Sequence, residues 1–162
     1  MITGKKTISH YLCYFNEKGV LTRKIDKNKK MVALTYDDGP SIYTLRVLKT
    51  LKENNAVATF FVVGNRVPTY SDTVKKAHDM GCEIGNHTYE HKNLTRVSEA
   101  EVKRQITKTN RNVKKVTGQA PVIMRPTGGA TNTNVKKWVG MPSIIWSIDP
   151  LDWKTRNADS TK

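Results

Sequence analysis

Two short segments concentrate side chains that can do chemistry. The stretch MVALTYDDGPSIYT, residues 31–44, sets Asp37 beside Asp38 at the end of a run of strand-forming residues, where each carboxylate raises the cost of ionising the other. The segment NHTYEH, residues 86–91, supplies His87 and His91 four residues apart, a spacing that turns two imidazoles to one side and is a common way to hold one zinc ion. Each segment also has a plainer explanation. Asp, Gly and Pro are ordinary turn formers, and two histidines at this spacing can simply be solvated. Together they suggest a metal site, because a catalytic zinc takes three protein ligands and keeps a fourth position for water. One aspartate can be the third ligand. A divalent cation beside the pair favours both carboxylates being ionised and draws the pKa of a coordinated water toward 7, leaving the other aspartate to take its proton.

The elements that would position these groups follow a regular alternation. MVALTY reads as a buried strand, and TLRVLKTLKENN as a helix with Leu45, Leu48 and Leu51 on one face. VATFFVVG is a second strand, and SDTVKKAHDMG a helix capped at Ser71 or Asp72 and closed by Gly81. CEIGNH is a third strand, followed by SEAEVKRQITKTNRNVKKVTG, which opens on a Ser98/Glu101 capping box. VIMRP and SIIWSID are two further strands, with the helix TNTNVKKWV between them. Strand–helix alternation argues for parallel βαβ units, either a doubly wound sheet or a (β/α) barrel. The polar clusters DDGP, GNR, NHTYEH, RPTGG and DPLDW each follow a strand. In a parallel α/β fold they share the C-terminal rim, where active sites are placed.

TYDDGP, HTYEH, RPTGG and DPLDW, in this order, resemble the first four motifs of the polysaccharide deacetylases with a NodB homology domain, carbohydrate esterase family 4. The match runs from about Lys30 to the end of the chain. The resemblance implies an α/β fold of the distorted or incomplete (β/α) barrel kind. It also implies metal-dependent hydrolysis of N-acetyl groups on a polysaccharide, with one divalent ion, expected to be Zn2+. Carried over residue by residue, it makes Asp37 the catalytic base and Asp38, His87 and His91 the metal ligands. Arg125 corresponds to the arginine that pairs with and orients the catalytic aspartate, and the Gly128 N–H to an oxyanion donor. Asp152 resembles the acid that orients a catalytic histidine. Trp153 resembles the apolar wall of the substrate groove, with a core position as the alternative. Trp138 and Trp146 belong to no motif and are expected to pack. Thr127 stands where the family often has proline.

One part of the family pattern has no counterpart. Its fifth motif is a leucine and a histidine that protonates the leaving amine, but the four histidines here are His10, His78, His87 and His91, and none follows Asp152. The expectation is a C-terminally truncated domain, or one whose catalysis is impaired. Residues 1–29 are expected to form a separate N-terminal hairpin segment and residues 30–162 the deacetylase domain. The hairpin resembles one cell-wall-binding (choline-binding-type) repeat through Tyr11, Tyr14, Phe15, Asn16 and the Gly19–Val20–Leu21 turn; a plain hairpin is the alternative.

The 28 basic residues outnumber 14 acidic ones, for a net charge of +14 over 162 residues, and a field of this size attracts polyanions. No nucleic-acid-binding motif appears and the aromatics do not interleave with the basic residues as a stacking platform would, which sets nucleic acid aside. No apolar run approaches the roughly 18 residues of a membrane span, and the first residues lack the apolar h-region expected of a signal peptide. The parent protein is nonetheless expected at the cell surface or outside the cell. The expected substrate is N-acetylglucosamine in peptidoglycan. The alternatives are chitin oligomers, another wall polysaccharide, or a carbohydrate-binding role without catalysis. Cys13 and Cys82 match no zinc or redox spacing and are expected to be unpaired.

Overall fold

The computed structural model of the chain describes residues 2–157, which divide between Ala33 and Leu34 into two compact units. The first is a three-stranded antiparallel sheet of β1 (Gly4–Ile8), β2 (Tyr11–Phe15) and β3 (Leu21–Asp26), with β2 in the middle. Its second turn is organised by Asn16, whose side-chain oxygen accepts from the amides of Lys18 and Val20 at 3.0 and 2.9 Å. Gly19 supplies the positive φ of 73° that this turn requires.

The second unit carries the α/β alternation. Strands β4 (Thr35–Gly39), β5 (Thr59–Val62) and β6 (Glu83–Asn86) form a parallel sheet in sequential order. Helix α1 (Thr44–Glu53) connects the first two and α2 (Ser71–Asp79) the second and third. Helix α3 (Glu99–Thr117) follows, then α4 (Thr133–Val139) and the single turn α5 (Asp152–Thr155). Parallel pairing continues beyond β6 through isolated bridges, Asn86 with Met124 and Met124 with Ser143.

Phe60, Val62 and Ile84 face the helices and pack with Leu48, Leu51, Val74, Ala77 and Val113. Phe61 and Gly85 point to the opposite side, where a Cβ on Gly85 would lie 2.4 Å from the Phe61 ring. This two-sided burial explains why β5 reads as an unbroken apolar run. A second cluster, Leu94, Val102, Ile106, Met124, Val135 and Val139, joins α3 and α4 to the bridge at Met124, with Trp138 against it. The result is an arc of a (β/α) barrel with helices on its outer face.

Several sequence expectations change. The strand expected at Met31–Tyr36 begins only at Thr35, and Met31, Val32 and Leu34 are exposed. Among the described residues β4 pairs with β5 alone, and no other described strand buries its apolar lead-in. Leu48 and Leu51 are buried, whereas Leu45, one turn earlier on the expected face, is 48% exposed. VIMRP and SIIWSID contribute single bridges at Met124 and Ser143 rather than full strands. The residue capping α2 is Tyr70, one before the expected Ser71, while Ser98 caps α3 as its pattern predicts, accepting from the Glu101 amide at 3.3 Å. Cys13 and Cys82 are both free and buried.

Candidate metal centre and base

A regular strand would send adjacent aspartates to opposite faces. At the end of β4 the pairing passes from Tyr36–Phe60 to Gly39–Val62, so three steps on one strand oppose two on the other. The extra residue is a bulge, a device that re-aims side chains next to active sites. Asp38 absorbs it with φ of 63°, and Arg66 donates to its carbonyl oxygen. Both carboxylates are thereby brought to neighbouring partners on one rim.

Asp37 accepts from Arg125 Nη1 at 2.7 Å. Arg125 directly follows the Met124 bridge and is 3% exposed. Its guanidinium also donates to Thr35 Oγ1 at 2.9 Å and to the Ile144 carbonyl at 3.1 Å, and it lies 4.3 Å above the Phe61 ring. Asp37 therefore faces a cation whose position is fixed by groups from β4, β5 and the segment that bridges at Ser143.

His87 continues β6 by one residue, its amide donating to the Val62 carbonyl, and its ring is buried. His91 closes the following loop with φ of 58°. The Nε2 atoms of His87 and His91 lie 3.2 and 2.8 Å from Asp38 Oδ1, and the three ligand atoms all fall within 4.8 Å of one another. Ligands held about 2.0–2.2 Å from a tetrahedral ion stand about 3.3–3.6 Å apart, so the spacing needs little adjustment to accept one.

The protonation pattern also asks for a cation. His87 Nδ1 is 2.7 Å from the Arg125 carbonyl oxygen, which can only accept, so Nδ1 carries a proton. In a neutral imidazole that leaves Nε2 as a bare lone pair, aimed at the Asp38 carboxylate. A proton shared between the two groups, or a metal ion, relieves that opposition. The hydrogen bond with His87 is the largest influence drawing the Asp38 pKa below the usual carboxylate range. Partial burial opposes it, and the charges of His91, His87 and Arg66 add to it. An Nδ1–H held by a backbone carbonyl with Nε2 presented inward is the usual arrangement of a metal-ligating histidine.

The other expected site residues are placed differently. Gly128 sits with φ of 60° in the short turn Thr127–Gly129. The next two amides are used within the turn, Gly129 to Pro126 and Ala130 to Thr127, while that of Gly128 has no partner among the described residues. The Thr127 hydroxyl lies 3.4 Å from that of Thr88, joining this turn to the histidine loop. Asp152 and Trp153 lie on α5, both exposed, and no contact joins them to the metal centre among the described residues. Trp153 is 65% exposed, its indole N–H directed at Asp149 Oδ2 at 3.4 Å.

Sequence reasoning missed several supports. Trp146, expected only to pack, lies 5.7 Å from the Arg125 guanidinium and so close to Gly129 that a Cβ there would meet its ring at 2.9 Å. Thr35 and Asn86 lie within or beside the motifs and were open to discovery on that ground. Arg66 lies in the rim cluster GNR and was open on the same ground, whereas Gln105 carried no local signal.

The polysaccharide deacetylase family model matches residues 24–140. The chain is 47% identical over 133 residues to the peptidoglycan-N-acetylglucosamine deacetylase PgdA of Listeria monocytogenes, covering 82% of this chain and 28% of that protein. It is 40% identical over 134 residues to the peptidoglycan-N-acetylmuramic acid deacetylase PdaC of Bacillus subtilis, covering 82% and 29%. The chain thus spans under a third of the length of these curated relatives. Among solved structures, B. subtilis PdaC superposes with a TM-score of 0.82 at 39% identity, over 85% of this chain and 68% of that one. A family 4 pseudoenzyme from Bacillus anthracis superposes with a TM-score of 0.76 at 35% identity, over 83% and 49%. With motifs, barrel arc and family match in agreement, the chain belongs to the polysaccharide deacetylases, as a NodB-type domain of carbohydrate esterase family 4.

Proposed function

We propose that this domain removes the acetyl group from N-acetylglucosamine residues of peptidoglycan, at the cell surface, with one zinc ion. The observation that carries the reading is the junction of the Asp37–Arg125 pair with an Asp38, His87, His91 group whose buried imidazole nitrogen calls for a cation. Two histidines and a carboxylate are a ligand set that suits zinc. The names of the relatives support the polymer, one acting on N-acetylglucosamine and another on N-acetylmuramic acid of peptidoglycan; the same amide is cleaved in both sugars.

Asp38, His87 and His91 would hold the ion, which when bound polarises the acetyl carbonyl and makes water a better nucleophile. Asp37, its carboxylate held by Arg125, takes the proton of the attacking water. The Gly128 N–H donates to the oxygen that gains charge as the carbonyl carbon becomes tetrahedral. The leaving nitrogen then needs a proton. Within this unit the remaining histidine, His78, lines a cleft of about 210 Å³ with Gly81, Cys82 and Glu83 at the start of β6, the end opposite His87. A second reading is a domain that binds metal and polysaccharide without turnover.

Acetate release from peptidoglycan with added zinc, compared among the chain, Asp37→Asn and His87→Ala, decides between them. The proposed activity predicts release by the chain and at least a hundredfold less, on the order of a lost general base, from Asp37→Asn, with zinc still bound. Zinc binding without release by the chain selects the second reading. Absence of zinc from the chain itself removes both.

A further inference from the structure

His87 and His91 are oriented by different means. The His87 ring is tied at its far nitrogen to the Arg125 carbonyl. The His91 ring has no such tie among the described residues, and its backbone is in the left-handed region, which a side chain adopts only when its surroundings enforce it. What enforces it is the loop before it. The carbonyls of Thr88 and Tyr89 accept from the amides of Gly64 and Asn65 at 2.9 and 3.0 Å. The Thr88 amide donates to Asn86 Oδ1 at 2.8 Å. The next two amides, of Tyr89 and Glu90, both donate to one atom, Gln105 Oε1, at 2.8 and 2.7 Å.

Gln105 lies on α3 and is fully buried. Its Nε2 donates to Glu90 Oε2 at 2.8 Å and Glu101 Oε1 at 2.9 Å. A carboxamide offers two acceptor and two donor positions, and all four are used. The rotated amide would press an NH2 group against two backbone N–H groups, so its orientation is fixed. We infer that Gln105 is a positioning residue of the metal centre: from inside α3 it holds the Tyr89–Glu90 backbone so that His91 faces Asp38. The inference rests on the metal-site reading of the preceding section.

Gln105→Met keeps the shape and removes the amide. Its zinc affinity, read by competition with a chromophoric chelator, is expected to fall ten- to a hundredfold, the range for partners behind a metal ligand. In the His91→Ala background the same substitution should cause no further loss, because its effect passes through that ring. In metal-free protein, amide exchange at Tyr89 and Glu90 should quicken while the centre of α3 stays protected. If Gln105→Met does not fold, Arg104→Met cuts the outer tie from Arg104 Nη2 to Glu90 Oε2, 2.6 Å long and one-third exposed. It should weaken zinc about two- to fivefold, again only with His91 present. Zinc binding by the parent chain together with unchanged affinity in Gln105→Met overturns this assignment alone, as does an equal loss with and without His91. Failure of the parent chain to bind zinc overturns the metal reading and this assignment with it, whatever the exchange rates.

Discussion

Arg125 is shared by the two halves of the site: its guanidinium meets the base Asp37, and its carbonyl sets the tautomer of the ligand His87. Arg125→Lys keeps the charge but replaces a planar fork by a point donor, which cannot reach Asp37, Thr35 and the Ile144 carbonyl together. The expected cost is about 2 kcal/mol, the scale of one hydrogen bond to a charged group lost in a buried setting, read as a lower urea midpoint. The His87 contact, being backbone, should survive, so zinc affinity should change less than activity. At this scale the sequence was most legible where chemistry is local. Asp37, Asp38, His87 and His91 are close in sequence within their pairs, and their residue types announce a ligand set. Gln105 is the contrary case. A glutamine inside an amphipathic helix reads as surface, and its partners at Tyr89 and Glu90 lie more than a dozen residues upstream.

At the level of elements, the histidine loop is pinned to α3 by Glu90, Lys92, Glu101 and Arg104. Hydrogen bonds from Arg104, then Lys92 and Gln105, hold the Glu90 carboxyl at about 2, against an ordinary 4.5; the same three, in the same order, lower Glu101. Between those values the unfolded chain binds more protons than the folded one, so the contribution is complete above about pH 4.5 and fades as pH falls toward 2. The urea midpoint of metal-free protein should decline over that window, and Glu90→Gln should flatten the decline. A second expectation concerns the turn after Arg125. Gly129→Ala places a methyl group against Trp146 in a backbone with φ of 67°; about 1–3 kcal/mol of destabilisation and an altered tryptophan emission should follow. Helices were read well from their apolar spacing and, for α3, its cap. Strands were read less well. A bulge leaves no mark on composition, and whether MVALTY is buried depends on neighbours that only the sheet order supplies.

In the second unit, the strand–helix alternation gave the parallel arc, because each crossover carries a helix and each strand pairs with the next. The two units divide at Ala33/Leu34, and no helix among the described residues is long and apolar enough to cross a membrane. A folded state that alone presents Asp38, His87 and His91 within ligand distance should be stabilised by mass action. At zinc a hundredfold above its Kd the gain is about 2.7 kcal/mol, visible as a higher melting temperature that chelator reverses and that His87→Ala abolishes.

The two members of the Asp37–Arg125 pair are unequally embedded: the aspartate side chain is 28% exposed and the arginine 4%. Mutational drift therefore meets an asymmetric landscape. Loss of the carboxylate at position 37 would leave a folded, metal-competent domain, whereas loss of the guanidinium would unsettle strand ends, base and ligand together. Descendants of this sequence that abandon hydrolysis while retaining their architecture should accumulate changes at Asp37 well before Arg125.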